Sequence, residues 1–316
     1  MAKSRKPNEL HIERVYDAPV KRVWEAWTDP AQVAQWWGPR GFTLTTRHKD
    51  VRTGGSWLYT MHGPDGVDYP NHTKFLEVVE YARLVYDHGG YEDKPPLFRV
   101  TVTFSESEGK TTMDMTMTLP SAQAAEEAKV FIKKAGGEAT WDRLAEYLAP
   151  TDRFVINRSF DAAPETIFEM WTNPAHIVHW LPPTGFTMTY LRANISPGGT
   201  SFFRMDGPGG MSLHVQSHHQ ELVRPHRIVY SQTFCDEHEQ PCRPPFAETW
   251  PASLSITVTL TEEAPHQTRV TLFTEVKGAA TEVERTSFHQ GKAGMTQGWT
   301  GSFDELERRL ATTRPA

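Results

Sequence analysis

The feature that most constrains this chain is an internal repeat with a fixed offset of 144 residues. Residues 14–44 align without a gap with residues 158–188, and between residues 14 and 66 the two copies are identical at 20 of 53 positions. The same offset joins Gly54 to Gly198. A unit of this length is a whole domain, because solenoid repeats hold only about 20–50 residues each. The chain is therefore predicted to be a tandem duplication of one domain.

The boundary between the two copies is predicted at Pro150, where a helical pattern stops at a proline. This places a first domain at residues 1–150 and a second domain at residues 151–316. Both lengths are close to the usual domain size of about 100–150 residues. The copies differ most between Cys235 and Pro251, where the second gains about twelve residues.

Composition and charge exclude several kinds of partner. The chain has 33 Lys and Arg against 39 Asp and Glu, so its net charge of −6 lacks the basic excess that nucleic-acid binding requires. No apolar run approaches the roughly 20 residues of a membrane helix, and no secretory signal pattern opens the sequence. Two cysteines cannot form a disulfide framework. We expect a cytoplasmic protein that neither binds nucleic acid nor inserts into a membrane.

Hydrophobic periodicity predicts the same order of elements in both copies. A strand at residues 9–16 or 153–160 precedes two short helices, the first of which is expected to be capped by Asp17 or Asp161. Alternating segments then predict about six half-buried antiparallel strands, followed by a long amphipathic helix. Because this helix is the only large cover for the apolar face of the sheet, the predicted fold class is α+β. A curved antiparallel sheet would wrap around the long C-terminal helix, once in each copy.

Motifs in a fixed order resemble a known family. The order of elements resembles the START-like helix-grip superfamily, also called SRPBCC. The motifs resemble its Hsp-ninety ATPase activator homologue-like branch, and Gly294–Thr300 is similar to the helix signature of that branch. The other motifs are Trp36–Pro39, Gly41–Thr43, Gly54–Gly55, Met61–Gly66 and Arg83–Val85.

The resemblance implies a cavity between the sheet and the long helix, which holds apolar small molecules in many relatives. In eukaryotic cochaperones a related domain touches a chaperone. Each copy departs from the pattern once. The first lacks the helix signature near residues 133–137, and the second loses the paired tryptophans at residues 180–183. These departures mean that the resemblance does not imply the same ligand for both copies.

Four glycines are predicted to share one face of the last helix, because they are spaced by three, four and three residues: Gly291, Gly294, Gly298 and Gly301. A glycine inside a helix costs about 1 kcal/mol relative to alanine, so this face needs a reason. We expect it to border a cavity or to admit the sheet closely. The alternative is a loop, with the helix beginning near Met295. The first copy has mostly larger side chains at the aligned positions, which are Lys129, Ile132, Gly136 and Ala139. The second domain is therefore expected to have the roomier pocket.

The inner face of the sheet supplies the other candidate ligand-binding residues. Trp57 aligns with Ser201, which also predicts more space in the second domain. For each candidate, the alternative interpretation is an ordinary core residue that contacts no ligand. Glu77 and Glu221 are interpreted as carboxylates at a strand bulge or rim rather than as catalytic bases. The candidates are Trp57, Tyr59, Met61, Tyr86, His88 and Gly136 in the first domain, and Phe203, Met205, Tyr230, Gln232, Gly294, Met295 and Gly298 in the second.

The sequence contains no P-loop, dinucleotide fingerprint, nucleophile elbow or zinc-protease helix motif. His214 and His218 could join Cys235 and Cys242 at a zinc ion, but their spacing matches no known ligand pattern. We predict no catalytic residue, no metal and no cofactor. The leading hypothesis is non-catalytic binding of a hydrophobic small molecule, mainly in the second domain. The alternatives are a chaperone-associated interaction module and a cyclase or hydrolase that acts on a hydrophobic ligand.

Overall fold

The repeat in the sequence is matched by a repeat of structural elements. The chain divides into two compact units, Met1–Ala149 and Pro150–Ala316. Each unit contains one strand, two short helices, six further strands and a C-terminal helical region. The predicted α+β fold, duplicated in tandem, is confirmed. The structure is a computed structural model that describes residues 6–89, 95–134, 139–150 and 152–312.

One seven-stranded antiparallel sheet forms the centre of each unit. The first strand of each unit pairs with the last, and the remaining strands follow as a meander. The first sheet consists of β1 (Glu9–Tyr16), β2 (Thr43–Lys49), β3 (Ser56–His62), β4 (Asp68–Val79), β5 (Arg83–His88), β6 (Phe98–Ser107) and β7 (Lys110–Thr118). The second consists of β8 (Arg153–Phe160), β9 (Thr187–Arg192), β10 (Thr200–Asp206), β11 (Ser212–Val223), β12 (Arg227–Cys235), β13 (Leu254–Ala264) and β14 (Gln267–Val276).

The helices differ between the units at the C-terminal region. The first unit contains α1 (Val20–Thr28), α2 (Pro30–Trp36), α3 (Ala122–Lys134) and α4 (Ala139–Leu148), and the second contains α5 (Pro164–Thr172), α6 (Pro174–Trp180) and α7 (Glu282–Thr312). All four glycines of the stripe lie inside α7, so the alternative of a loop before Met295 is wrong. Among the described residues, no helix is long and apolar enough to cross a membrane.

The first helix of each unit begins without the predicted acidic cap. The residues before α1 and α5 are Pro19 and Ala163, and neither provides a side-chain cap. Asp17 and Asp161 lie two residues too early, because a capping side chain bonds to the amides of the second or third helical residue. Side-chain caps occur instead on α2 and α6, from Asp29 and Asn173.

The alternation of β3 places large aromatic side chains in the core of the first unit. Trp57 and Tyr59 are buried, and they stack with a ring-centroid distance of 3.9 Å. Trp27 of α1 stacks on Trp141 of α4 at 5.3 Å. The core therefore lies between the sheet and its helices. The second unit has a similar core, which includes Phe160, Trp171, Trp180, Phe303 and Leu306.

Both sheets contain an irregularity at the same place. The register shifts next to Glu77 between β4 and β5, and next to Glu221 between β11 and β12. Glu77 pairs with Arg83 at 3.4 Å and Glu221 pairs with Arg227 at 3.2 Å, and all four side chains are partly exposed. The two glutamates are therefore bulge and rim carboxylates.

Candidate functional site

A cavity of about 440 Å³ lies in the second unit. Its volume falls within the range of about 300–1,000 Å³ that is usual for small-molecule sites. Its polar lining groups are Gln232, Thr233 and the buried indole N–H of Trp250, which has no hydrogen-bond partner among the described residues. The other described lining residues are apolar, and none carries a charge. The cavity therefore suits an uncharged, mainly hydrophobic occupant. We refer to it as the large cavity.

Three neighbouring strands form one wall of the large cavity. Phe203 and Met205 lie on β10, Val215 on β11 and Phe234 on β12. Residues two apart on a strand face the same side of the sheet, so Phe203 and Met205 both face the cavity. Val215 is directly opposite Phe203 in one pair of strands and opposite Phe234 in the other. These side chains therefore form a continuous apolar surface.

Another wall comes from the segment that only the second copy contains. Phe246 and Trp250 line the cavity, and the Trp250 ring lies 5.9 Å from the ring of Phe288 on α7. The start of this segment is fixed to the sheet edge. Both terminal guanidinium nitrogens of Arg192 donate to the Glu239 carboxylate, at 2.7 and 2.6 Å. The extra segment is thus an anchored wall.

Two glycines of α7 leave room for this wall and a neighbouring loop. A Cβ atom at Gly291 would lie only 2.5 Å from the Trp250 ring. A Cβ atom at Gly301 would lie 2.6 Å from the hydroxyl oxygen of Thr184. Both distances are too short for a side chain without displacement of its neighbour. Gly291 therefore allows Trp250, and Gly301 allows Thr184, to pack closely against α7.

The other stripe residues have different surroundings. A Cβ atom at Gly294 would have no neighbour within 4 Å, and one at Gly298 would lie 3.9 Å from Pro183. Met295 packs against the apolar core. None of these three residues is among those that line the large cavity. The cavity thus lies beside α7, behind Trp250 and Pro183, rather than directly between helix and sheet as predicted.

A second cavity, of about 30 Å³, lies beside the large one. The two share Phe203 and Gln232 as lining residues. The small cavity has a larger share of polar lining residues, and it is large enough for only one or two water-sized groups. Its other polar lining residues are Trp171, Tyr190, Ser217, His219 and Tyr230.

His219 is held at the small cavity by one of its two ring nitrogens. Its Nε2 lies 3.1 Å from Ser201 Oγ, which accepts the amide hydrogen of Asn194 at 3.1 Å. Its Nδ1 is buried and has no hydrogen-bond partner within the described part of the chain. Burial lowers the pKa of His219 to about 4, with a smaller contribution from His218. The imidazole is therefore neutral at physiological pH.

The remaining polar groups of the small cavity are also neutral. Burial raises the pKa of Tyr230 far above its usual value, although the adjacent Trp171 indole opposes the change. Burial raises the pKa of Tyr190 in the same way. The Trp171 indole lies close enough to the Tyr230 hydroxyl to affect its pKa, but the buried Nε1 makes no hydrogen bond of normal length and angle to any residue described. The small cavity consequently offers hydrogen-bonding groups without charge.

The structure brings together four of the seven candidates in the second unit. Phe203 and Gln232 line both cavities, Met205 lines the large one, and Tyr230 lines the small one. The other three are on α7 and line neither. Strand residues were easier to place because alternation fixes which side of the sheet they face.

The first-unit candidates lie in a filled aromatic core. Trp57, Tyr59 and Tyr86 are buried and Met61 and His88 are half-buried, whereas Gly136 lies outside the described residues. The Trp57 ring lies 5.1 Å from the Trp37 ring. The ammonium group of Lys49 lies 3.6 Å from the centre of the Trp57 ring. Lys49 Nζ also donates to the carbonyl oxygen of Trp27 at 2.9 Å. These side chains occupy the space around Trp57.

His88 is the histidine among the first-unit candidates. Its ring stacks on Phe98 at 4.8 Å, and its Nδ1 lies 3.3 Å from Thr73 Oγ1. Burial lowers the pKa of His88 to about 4, so this imidazole is neutral as well. Its surroundings are those of a packed core histidine.

The histidines and cysteines considered as zinc ligands have other surroundings. His214 stacks on Phe202 with a centroid distance of 5.6 Å. Cys235 is buried, Cys242 is exposed, and both are free thiols. Within the described ranges, no group of three or more His, Cys, Asp or Glu side chains could hold a metal ion.

Sequence reasoning missed Phe246, Trp250 and His219. The segment with Phe246 and Trp250 has no counterpart in the first copy and no regular period, so neither the repeat nor alternation could place it. The sequence feature that could have indicated a cavity wall is the presence of two aromatic residues in a proline-rich insertion. For His219 the signal was its alignment with Phe75, an inward-facing position of β4.

Two antiparallel sheets, each with its C-terminal helical region, define a duplicated helix-grip protein with a cavity in the second unit. The family model of Activator of Hsp90 ATPase homolog 1-like proteins matches the chain twice, at residues 17–149 and 161–311. The chain therefore belongs to this family. No curated protein matches it.

Solved structures resemble either one unit or the whole chain. A protein from Mycobacterium smegmatis is 28% identical, with a TM-score of 0.40, over 44% of this chain and 89% of its own. One from Staphylococcus epidermidis is 26% identical, with a TM-score of 0.42, over 47% and 93%. DynU16, from the dynemicin biosynthetic locus, is 20% identical, with a TM-score of 0.35, over 95% and 98%.

Proposed function

We propose that the second unit binds a hydrophobic, uncharged small molecule in the large cavity without catalysing its conversion. The observation that carries this proposal is the cavity of about 440 Å³ with apolar walls. Burial of apolar ligand surface contributes about 25 cal/mol per Å², so such walls favour a hydrophobic occupant. Membership of the family is compatible with a small-molecule ligand.

The neutral state of the nearby polar groups supports binding rather than catalysis. A general acid or base works best when its pKa lies near the working pH. Burial moves the pKa of His219 to about 4 and that of Tyr230 far upward. At neutral pH these groups are suited to hydrogen bonding with a ligand and not to proton transfer.

The proposal is tested with N-phenyl-1-naphthylamine, an uncharged apolar dye whose fluorescence rises on binding. We expect saturable binding of one dye molecule per chain. Val215→Phe adds bulk to the cavity wall and is expected to weaken binding at least about tenfold, which corresponds to about 1.4 kcal/mol. The matched control is Val223→Phe, at a 47% exposed position of the same strand, which should bind like the unmodified chain.

Two results would contradict the proposal. One is a dye signal that never saturates in the unmodified chain. The other is equal affinity in the Val215→Phe and Val223→Phe variants, because the dye would then occupy a different place. Circular dichroism of both variants checks that the added ring has not unfolded the second unit.

A further inference from the structure

The small cavity contains two buried polar groups that the fold leaves without partners. Trp171 is 5% exposed and His219 is 6% exposed. His219 Nδ1 makes no hydrogen bond to any residue that the structure describes, and Trp171 Nε1, although it lies near the Tyr230 hydroxyl, makes none of normal length and angle. A buried polar group without a partner costs about 1–3 kcal/mol. Two of them in one small space indicate that another group binds there.

The donor properties of these side chains define that group. An indole N–H can only donate, so the partner of Trp171 has to accept a hydrogen bond. His219 Nδ1, on a neutral ring, either donates to or accepts from the same partner. A carbonyl or hydroxyl oxygen meets both requirements. A carboxylate does not, because neither cavity has a cationic side chain among its described lining residues.

The position of the small cavity connects this chemistry to the large one. Phe203 and Gln232 line both spaces, so the two cavities are neighbours at these side chains. We propose that the ligand is a neutral, mainly apolar molecule with one oxygen acceptor. Its apolar body fills the large cavity, and its oxygen enters the small one to bond with Trp171 and His219. This inference rests on the proposed function.

The first unit shows that this polar end is particular to the second. The residue aligned with His219 is Phe75, and the residue aligned with Ser201 is Trp57. Phe75 is buried, with its ring 6.0 Å from that of Tyr86. A phenylalanine is therefore compatible with this position of the fold. His219→Phe is accordingly a variant that removes the ring nitrogens with little risk to folding.

The test compares two probes with the same ring skeleton, fluorene and 9-fluorenone. They differ at one carbon, which is a methylene group in fluorene and a carbonyl group in 9-fluorenone. We expect the full chain to bind 9-fluorenone at least about tenfold more tightly than fluorene. In His219→Phe and in Trp171→Phe this preference should fall to about threefold or less. The matched control is His218→Phe, at the exposed neighbouring position, which should keep the full preference.

The outcomes separate this inference from the proposed function. If both probes bind with equal affinity to the unmodified chain, the proposed hydrogen bonds to the ligand oxygen in the small cavity are wrong, whereas the proposed hydrophobic binding in the large cavity is still supported. The same conclusion follows if the preference persists in both His219→Phe and Trp171→Phe. If neither probe nor the naphthylamine dye binds, the proposed function itself fails. Fluorene affinity in each variant shows whether the large cavity is still intact.

Discussion

Single aligned positions explain why two copies of one fold have different interiors. Trp57 aligns with Ser201, and Lys49 aligns with Ala193. In the first unit Lys49 and Trp57 pack on each other, whereas in the second the small Ser201 leaves room for a hydrogen bond to His219. The exchange of Trp for Ser was visible in the sequence. Its consequence for His219 was not, because their contact depends on the pairing of β10 with β11.

Lys49 supplies a prediction about the pH dependence of stability. Burial lowers its pKa from 10.5 to about 7, and Asp29 opposes this change only in part. Between these two pH values the unfolded chain binds more protons than the folded chain, so the stability of the first unit rises with pH. The gain across this window is on the order of 5 kcal/mol, since a pKa difference of one between the folded and unfolded chain corresponds to about 1.4 kcal/mol.

Lys49→Met is expected to abolish this gain, because it removes the titrating group from the core. The measurement is urea unfolding of the full chain at pH 6.5 and 9.5, followed by the ¹⁹F signal of fluorinated Trp141. Lys74→Met, at an exposed position of β4, is the matched control and should keep the pH dependence. An unchanged pH dependence in Lys49→Met would show that Lys49 is not the group responsible.

At the scale of elements, the glycines of α7 differ in what they contribute. Gly294→Ala is expected to stabilise the second unit by up to about 1 kcal/mol, because alanine favours the helix and the added methyl group meets no neighbour. Gly291→Ala should lack this gain and weaken binding of the naphthylamine dye, since its methyl group would displace the Trp250 ring. Thermal unfolding and dye titration of both variants provide the comparison. Equal effects of the two substitutions would argue against a role for Gly291 in the cavity wall.

Elements with a regular period were predictable, and irregular ones were not. The first strand of each unit occupies the predicted residues, 9–16 and 153–160, because alternation and repetition indicate the same segments. The long helix of the second unit was also predicted, although two of its glycines, Gly291 and Gly301, lie against Trp250 and Thr184 and do not line the cavity. Trp250 and Phe246 could not be placed, because their contacts with the sheet and α7 join segments that are distant in sequence.

At the scale of the whole molecule, the duplication gives two copies of one fold with different interiors, and the ligand site that we propose lies in the second. The described cavities are both in the second unit, and Trp37, Lys49, Trp57 and Tyr59 pack together in the first. The second unit also has the extra segment that forms a cavity wall. Our central claim is that the second unit is the ligand-binding unit.

The most direct test of this claim is ¹⁹F NMR of the chain with all ten tryptophans replaced by 5-fluorotryptophan, titrated with N-phenyl-1-naphthylamine. Single Trp→Phe variants assign the signals. We expect that saturation shifts the resonance of Trp250, which lines the large cavity, and leaves those of Trp37 and Trp57 in the first unit unchanged. A shift confined to the first-unit tryptophans, or saturable binding without any change at Trp250, would contradict it.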